Sequence, residues 1–158
     1  MITKPQSAAL QPARMFTLLT PAALLGGAYV SQYGFGLFPC EMCWWQRYAL
    51  FAALPFAVLA FALKRQRWPV ALAALAILTS GLIGAFHAGV EYKWWEGFTR
   101  CATLVQAGAD PLAAIMAAPL IRCDQPQWTL FGVSLAGFNF VFSTTGALGV
   151  LALLRKAK

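Results

Sequence analysis

Four long apolar stretches constrain this chain more than any other feature of its sequence. They run over about 15–33, 44–63, 69–90 and 130–154. A helix needs about 20 mostly apolar residues to cross the hydrocarbon core of a bilayer. Because backbone polar groups must find partners inside lipid, such stretches cross as helices. The sequence therefore predicts an all-α membrane protein, a single domain over 1–158 that forms a bundle of four transmembrane helices.

The composition indicates that lipid is the solvent. Hydrophobic residues make up 60% of the chain and charged residues 11%, whereas a soluble domain carries about 25% charged residues. A net charge of +7 would suggest nucleic acid as a partner for a soluble protein. Here the basic residues stand in small groups beside the apolar stretches, which is typical of membrane orientation. We expect contact with the lipid bilayer and no nucleic acid.

The basic residues also predict the orientation of the bundle. Most of the 12 Lys and Arg residues fall in the N-terminal tail, in the link between the second and third spans, and in the C-terminal tail. In a chain with four spans these segments share one side, and an excess of positive charge marks the cytoplasmic side. Both termini are therefore expected in the cytoplasm. The first stretch is longer than a signal-peptide core, so we expect a retained helix.

The four cysteines fall in the two loops predicted on the outer side, at about 34–43 and 91–129. Cys40 and Cys43 end the first loop, and Cys101 and Cys123 lie in the long second loop. This is the side of the membrane where disulfides form and persist. Four cysteines allow three pairings, and the pairs nearest in sequence are Cys40 with Cys43 and Cys101 with Cys123. The sequence leaves the resting connectivity open.

The short spacing of Cys40 and Cys43 favours chemistry over a structural role. A bridge between Cys101 and Cys123 would restrict a long loop of the unfolded chain, but one inside Cys40-Glu-Met-Cys43 would restrict little. A CxxC pair is more often a redox or metal site. Four cysteines are also enough to hold zinc. Because the later two are far apart rather than a second CxxC, we expect no metal.

Two ionisable residues are candidates for the same site. Arg47 follows Cys43 by four residues and so shares its helix face. The helix N-terminus and a guanidinium both favour the thiolate form of Cys43, although an arginine at the membrane edge also snorkels without a function. His87, the only histidine, stands one turn before Glu91. It is either a satisfied polar residue of the core or a hydrogen-bond or proton partner of the redox site.

These residues resemble the disulfide bond formation protein B (DsbB) family of bacterial inner membranes, over nearly the whole chain from Met15 to Leu154. The most specific part is Pro39-Cys40-Glu41-Met42-Cys43-Trp44-Trp45-Gln46-Arg47-Tyr48, which is similar to the family's P-C-x-x-C-x-x-x-R stretch. The segment from His87 to Glu91, followed by Trp94-Trp95 and Cys101, is similar to its third-helix exit. Cys123-Asp124, Trp128, Phe131-Gly132-Val133-Ser134 and Asn139 are similar to the start of its fourth helix.

The resemblance implies a protein-dithiol:quinone oxidoreductase in the inner membrane with its cysteine loops in the periplasm. Its partner would be a thioredoxin-fold, DsbA-like dithiol protein, and its cofactor ubiquinone or menaquinone. Cys101 would accept attack from the partner, Cys123 would attack Cys40, and Cys43 would leave as a thiolate beside the quinone. Arg47 would steady that thiolate and a quinone oxygen, and His87 would lie close to the quinone. The compact loop between Cys101 and Cys123 leaves open whether the partner is general or dedicated.

Two alternatives remain at this point. Vitamin K epoxide reductases are also quinone-linked helical thiol enzymes with two cysteine pairs, but they place the CxxC differently in the bundle. A membrane scaffold with two structural disulfides would have no enzymatic activity. The position of the CxxC before the second span favours the DsbB-like interpretation over the first alternative, and quinone-dependent oxidation of a dithiol partner separates it from the second.

Overall fold

A computed structural model describes residues 9–64, 66–97, 102–103 and 120–157. The described residues contain four helices: α1 (Leu10–Phe35), α2 (Glu41–Ala62), α3 (Trp68–Glu91) and α4 (Leu135–Lys156). Each is long and apolar enough to cross a membrane. The predicted all-α fold with four membrane-spanning helices is therefore confirmed.

The described residues form two small antiparallel sheets of two strands each between α3 and α4. They are formed by the strands β1 (Ala102–Thr103), β2 (Leu120–Ile121), β3 (Thr129–Leu130) and β4 (Val133–Ser134). β1 pairs with β2, and β3 pairs with β4. β3 and β4 form a hairpin that turns at Phe131 and Gly132, which both adopt positive φ angles, of 51° and 78°. Cys123 lies between β2 and β3.

α3 lies at the centre of the bundle, packed along α2 on one side and α4 on the other, while α1 contacts α2 and α4. Small residues allow α3 and α4 to approach closely. A Cβ atom added at Gly84 would lie 2.9 Å from the backbone oxygen of Ala136. Membrane helices are held together by such close packing and by hydrogen bonds between helices, because lipid supplies no hydrophobic force between them.

The two ends of the bundle differ in what they bury. At the end where α1 begins and α4 ends, Arg14 donates to the backbone oxygen of Lys64, and Arg67 donates to that of Leu154. At the opposite end the packed cluster contains Cys40, Met42, Val90, Ile121 and Cys123. Cys43 packs against this cluster, so three of the four cysteines lie together at this end of the bundle. Its orientation in the membrane stays a prediction.

The observed helix boundaries differ from the predicted spans mainly at α1 and α4. α1 begins at Leu10, earlier than the predicted 15. α4 begins at Leu135 rather than near 130, because the β3–β4 hairpin occupies the residues before it. The side chain of Ser134 caps α4 by accepting a hydrogen bond of 3.1 Å from the N–H of Gly137, the usual arrangement at a helix start. The prediction was wrong there because hydropathy does not register a tight turn between apolar residues.

Candidate active site

The CxxC segment is shaped by the start of α2. α1 ends at Gly36, whose left-handed backbone (φ 68°) stops the helix, and an extended segment leads to Cys40. Cys40 is the N-cap residue of α2, and its sulfur accepts a hydrogen bond from the N–H of Cys43 at 3.3 Å. Because an N-cap side chain turns back over the first helical turn, the two sulfur atoms lie 3.0 Å apart. This separation allows a disulfide to form with a small side-chain rotation.

A third cysteine meets this pair. Cys123 lies in the segment after β2 and is buried with Cys40 in one cluster. A hydrogen bond with Cys123, together with one to Cys43 and burial, raises the pKa of the Cys40 thiol. Cys40 therefore contacts two other cysteines. In thiol–disulfide exchange a thiolate attacks a sulfur of an existing disulfide, so a disulfide at Cys40 can pass between Cys43 and Cys123.

A charged clamp fastens the Cys123 segment to the end of α3. The carboxylate of Asp124 accepts hydrogen bonds from Arg122 at 2.6 and 2.8 Å and from Lys93 at 2.9 Å. Arg122, and after it Lys93, holds the pKa of Asp124 well below its usual range. Lys93 reaches the clamp from a backbone turn with φ 61° directly after α3. Hydrogen bonds between charged groups are stronger than neutral ones, so this clamp fixes the residue next to Cys123.

His87 reaches the CxxC pair from α3. Its side chain is buried, and Nε2 lies 3.5 Å from the sulfur of Cys40 and 3.7 Å from a carboxylate oxygen of Glu91. The sulfur atoms of Cys40 and Cys43 and a ring nitrogen of His87 all lie within 4.8 Å of one another. A soft metal ion would find three ligands here, but it would occupy the sulfurs that thiol exchange requires. The expectation of no metal stays a prediction.

A network of buried amides and hydroxyls continues from His87 into the bundle. Gln46 contacts Nδ1 of His87 at 3.0 Å and accepts a hydrogen bond of 2.8 Å from Asn139. Ser80 donates to the backbone oxygen of Gln46 at 3.0 Å, and Ser143 donates to Asn139 at 2.9 Å. The network connects α2, α3 and α4. Sequence reasoning assigned none of these four residues a role, although polar residues inside apolar spans are a usable signal.

Arg47 is buried and turned toward α1. It donates to the side-chain oxygen of Gln32 at 2.6 Å and to the backbone oxygen of Ala28 at 3.1 Å. Its guanidinium lies 5.1 Å from the ring centroids of both Tyr29 and Trp44, close enough for cation–π attraction. With 6% of its surface exposed, Arg47 does not snorkel. Its hydrogen bonds go to α1, so a role in steadying the Cys43 thiolate stays a prediction.

A cavity of about 270 Å³ joins these groups. Its wall includes Cys43, Arg47, His87 and Glu91, and the rest is largely apolar surface from α1, α2 and α4. One carboxylate oxygen of Glu91 is buried and has no hydrogen-bond partner among the described residues. Apolar cavities with a few convergent polar groups are the usual form of small-molecule sites. The apolar wall and the guanidinium of Arg47 fit a lipid-soluble ring that carries oxygen atoms.

The structure thus brings together five of the six residues predicted from the sequence: Cys40, Cys43, Cys123, Arg47 and His87. The sixth, Cys101, lies outside the described residues. Its pairing with Cys123 and its role toward a partner stay predictions.

Known proteins resemble this chain over most of its length. The model of a family described as DsbB, disulfide bond formation protein DsbB, matches residues 11–153. Disulfide bond formation protein B of Verminephrobacter eiseniae is 34% identical, over 92% of this chain and 87% of the relative. The protein of the same name from Acidovorax sp. is 31% identical, over 90% of this chain and 87% of the relative. No solved structure matches the chain significantly.

The Asp124 clamp should control how exposed Cys123 is. In a variant whose only cysteine is Cys123, we expect Asp124→Asn to raise the rate of alkylation by a water-soluble maleimide by about three- to tenfold, since local opening governs access.

Because the pKa of Asp124 is lowered, the clamp should be intact above about pH 4, the usual aspartate value, and should weaken only as the pH falls further.

Glu41→Gln is the matched control, because Glu41 is exposed, forms no ion pair with another described residue and does not line the cavity beside Cys123. It should leave the alkylation rate unchanged. Equal rates in Asp124→Asn and the parent protein would contradict the assigned role of the clamp.

Proposed function

This chain belongs to the disulfide bond formation protein DsbB family, a family of disulfide-forming inner-membrane proteins, and we propose that it transfers electrons from a periplasmic dithiol protein to a membrane quinone. The electron donor would be a thioredoxin-fold, DsbA-like protein and the acceptor ubiquinone or menaquinone. The observation that carries the proposal is the position of Cys40, whose sulfur neighbours both Cys43 and Cys123 at the wall of the cavity.

The first half of the reaction is an exchange of disulfides. A thiolate of the reduced partner attacks Cys101 in a Cys101–Cys123 disulfide, and Cys123 leaves as a thiolate. Cys123 then attacks the sulfur of Cys40, so a Cys40–Cys123 bond forms while the Cys40–Cys43 bond breaks and Cys43 leaves as a thiolate. Each step exchanges one sulfur–sulfur bond for another. The short reach from Cys123 to Cys40 supports the second attack.

Resolution returns the outer cysteines to their starting state. The second thiol of the partner displaces Cys101 and completes the partner's disulfide. Cys101 then attacks Cys123, which restores the Cys101–Cys123 bond and leaves Cys40 reduced. The partner has lost two electrons, and the Cys40–Cys43 pair has gained them.

The second half of the reaction takes place at the cavity. A bound quinone would accept two electrons and two protons and so return Cys40 and Cys43 to the disulfide. Cys43 is the cysteine placed for this step, since it lines the cavity beside Arg47 and His87. The guanidinium of Arg47 supplies N–H donors toward an oxygen-bearing ring, and the apolar side chains of α1 and α4 exclude water. Membership of the DsbB family, rather than the geometry alone, favours this reaction over that of vitamin K epoxide reductases.

The contacts of Cys40 also argue against a purely structural role. A structural disulfide needs one partner for each cysteine, whereas Cys40 is in contact with two. A scaffold has no need for a third buried sulfur beside a closed bridge. The arrangement therefore favours exchange.

Cys43→Ser should abolish quinone-dependent oxidation of the partner, because Cys40 then lacks the cysteine with which it forms the disulfide at the cavity. Purified variant, reduced thioredoxin-fold partner and ubiquinone or menaquinone are combined, and quinone absorbance is followed. The helical circular dichroism and the unfolding temperature in detergent should match those of the parent protein, which shows that the fold survives. Quinone reduction at the parental rate would exclude Cys43 as the cysteine that reacts with quinone.

Arg47→Ala should weaken the apparent affinity for quinone by about 10- to 100-fold, which corresponds to the loss of one or two hydrogen bonds from a charged group. Reduction of the Cys40–Cys43 disulfide by the partner, measured in a single turnover without quinone, should be largely unchanged. Arg47→Lys keeps the charge but not the two-pronged geometry of the guanidinium. Its apparent affinity for quinone should lie between that of Arg47→Ala and that of the parent protein. A quinone dependence equal to that of the parent protein would contradict this role.

A further inference from the structure

The hydrogen bonds around Gln46 determine which nitrogen of His87 carries a proton. The side-chain nitrogen of Gln46 lies 3.2 Å from the backbone oxygen of Met42, and its side-chain oxygen lies 2.8 Å from the side-chain nitrogen of Asn139. A backbone carbonyl only accepts hydrogen bonds. The Met42 carbonyl therefore requires the NH₂ group of Gln46 on its side.

Asn139 supports the same orientation independently. Its side-chain nitrogen lies 3.1 Å from the backbone oxygen of Ser80, another group that only accepts. The side-chain oxygen of Asn139 in turn accepts from Ser143 at 2.9 Å. If the Gln46 amide were reversed, its NH₂ group would face the NH₂ group of Asn139, and its oxygen would face the oxygen of Met42. The backbone carbonyls of Met42 on α2 and Ser80 on α3 thus determine the orientation of the Gln46 amide. Heavy-atom distances alone do not distinguish the nitrogen of an amide from its oxygen.

With this orientation the NH₂ group of Gln46 donates to Nδ1 of His87 across 3.0 Å. Nδ1 must then be unprotonated, and a neutral imidazole carries its single proton on the other nitrogen. We propose that Gln46 is a positioning residue that holds His87 as the neutral tautomer with the proton on Nε2. Nε2 lies 3.5 Å from the sulfur of Cys40 and 3.7 Å from a carboxylate oxygen of Glu91. The proton on Nε2 therefore lies on the side of these two groups.

On the assumption that the proposed thiol–quinone reaction is correct, this tautomer decides whether His87 donates a hydrogen bond to the site or relays protons through its ring. A relay through the ring takes up a proton at one nitrogen and releases one from the other. Nδ1 cannot take up a proton while Gln46 donates to it. His87 instead donates a hydrogen bond from Nε2 toward the sulfurs, where negative charge develops when the Cys40–Cys43 bond breaks. In this role it stabilises the thiolate and does not pass protons from Nδ1 to Nε2.

The test uses the fact that His87 is the only histidine in the chain. The full-length protein is labelled with ¹⁵N-histidine and purified in detergent through an affinity tag that contains no histidine, so its NMR spectrum reports one imidazole. We expect an unprotonated, pyridine-type shift for Nδ1 and a protonated, pyrrole-type shift for Nε2. A protonated Nδ1, or averaged shifts from two tautomers, would overturn the proposal. This measurement requires neither quinone nor partner.

Gln46→Glu tests the role of Gln46 itself, because it replaces the donor to Nδ1 with an acceptor of the same shape. We expect the tautomer ratio to change by about tenfold or more toward a protonated Nδ1, as for the exchange of one buried hydrogen bond, and quinone reduction to slow. Gln32→Glu is the matched control: it makes the same change on α1, where Gln32 contacts Arg47, and should leave the His87 shifts unchanged.

The outcomes separate this inference from the proposed function. An unchanged tautomer in Gln46→Glu would overturn the role of Gln46. An inverted tautomer with quinone reduction at the parental rate would overturn the role of His87 toward the thiolate while the proposed function stands. Absence of quinone reduction in the parent protein would overturn the proposed function, and the NMR result on the tautomer would stand.

Discussion

The contact of one sulfur atom with two others is the interaction on which the rest of the site depends. Cys40 is the N-cap of α2, and this places its sulfur beside Cys43. The same atom meets Cys123, which comes from a segment far along the chain. Exchange needs a sulfur that two others can reach in turn. Cys40 satisfies this need because the start of α2 and the segment after β2 meet at its sulfur.

Close packing and paired polar groups inside the bundle hold the helices that surround this sulfur. Gly84 allows α3 and α4 to approach closely, and the amide of Asn139 can then reach both Gln46 and Ser80. Polar groups inside a membrane protein are costly unless they are paired, so this network also limits which orientations its members adopt. The packing of small residues in the bundle thereby brings Asn139 within reach of Gln46, which contacts Nδ1 of His87.

Much of this arrangement can be predicted from the sequence, for identifiable reasons. The length of the apolar stretches predicted the four helices. The CxxC at the start of α2, with Arg47 one turn later, predicted the central residues of the site. The start of α4 was wrong because a turn at Phe131 and Gly132 does not interrupt hydropathy. The direction of Arg47 toward Gln32 and Ala28 and the pairing of Gln46 with His87 depend on contacts between helices, which local sequence patterns do not encode. The role of Cys101 stays a prediction.

In the proposed reaction, electrons from a dithiol protein leave this molecule on quinone. The most direct measurement combines the purified protein, a reduced thioredoxin-fold partner and ubiquinone or menaquinone without oxygen, and counts quinol and oxidised partner together. We expect both to appear in equal amounts, because the formation of each partner disulfide releases the two electrons that one quinone accepts. Oxidised partner without quinol, or no reaction with either quinone, would contradict it.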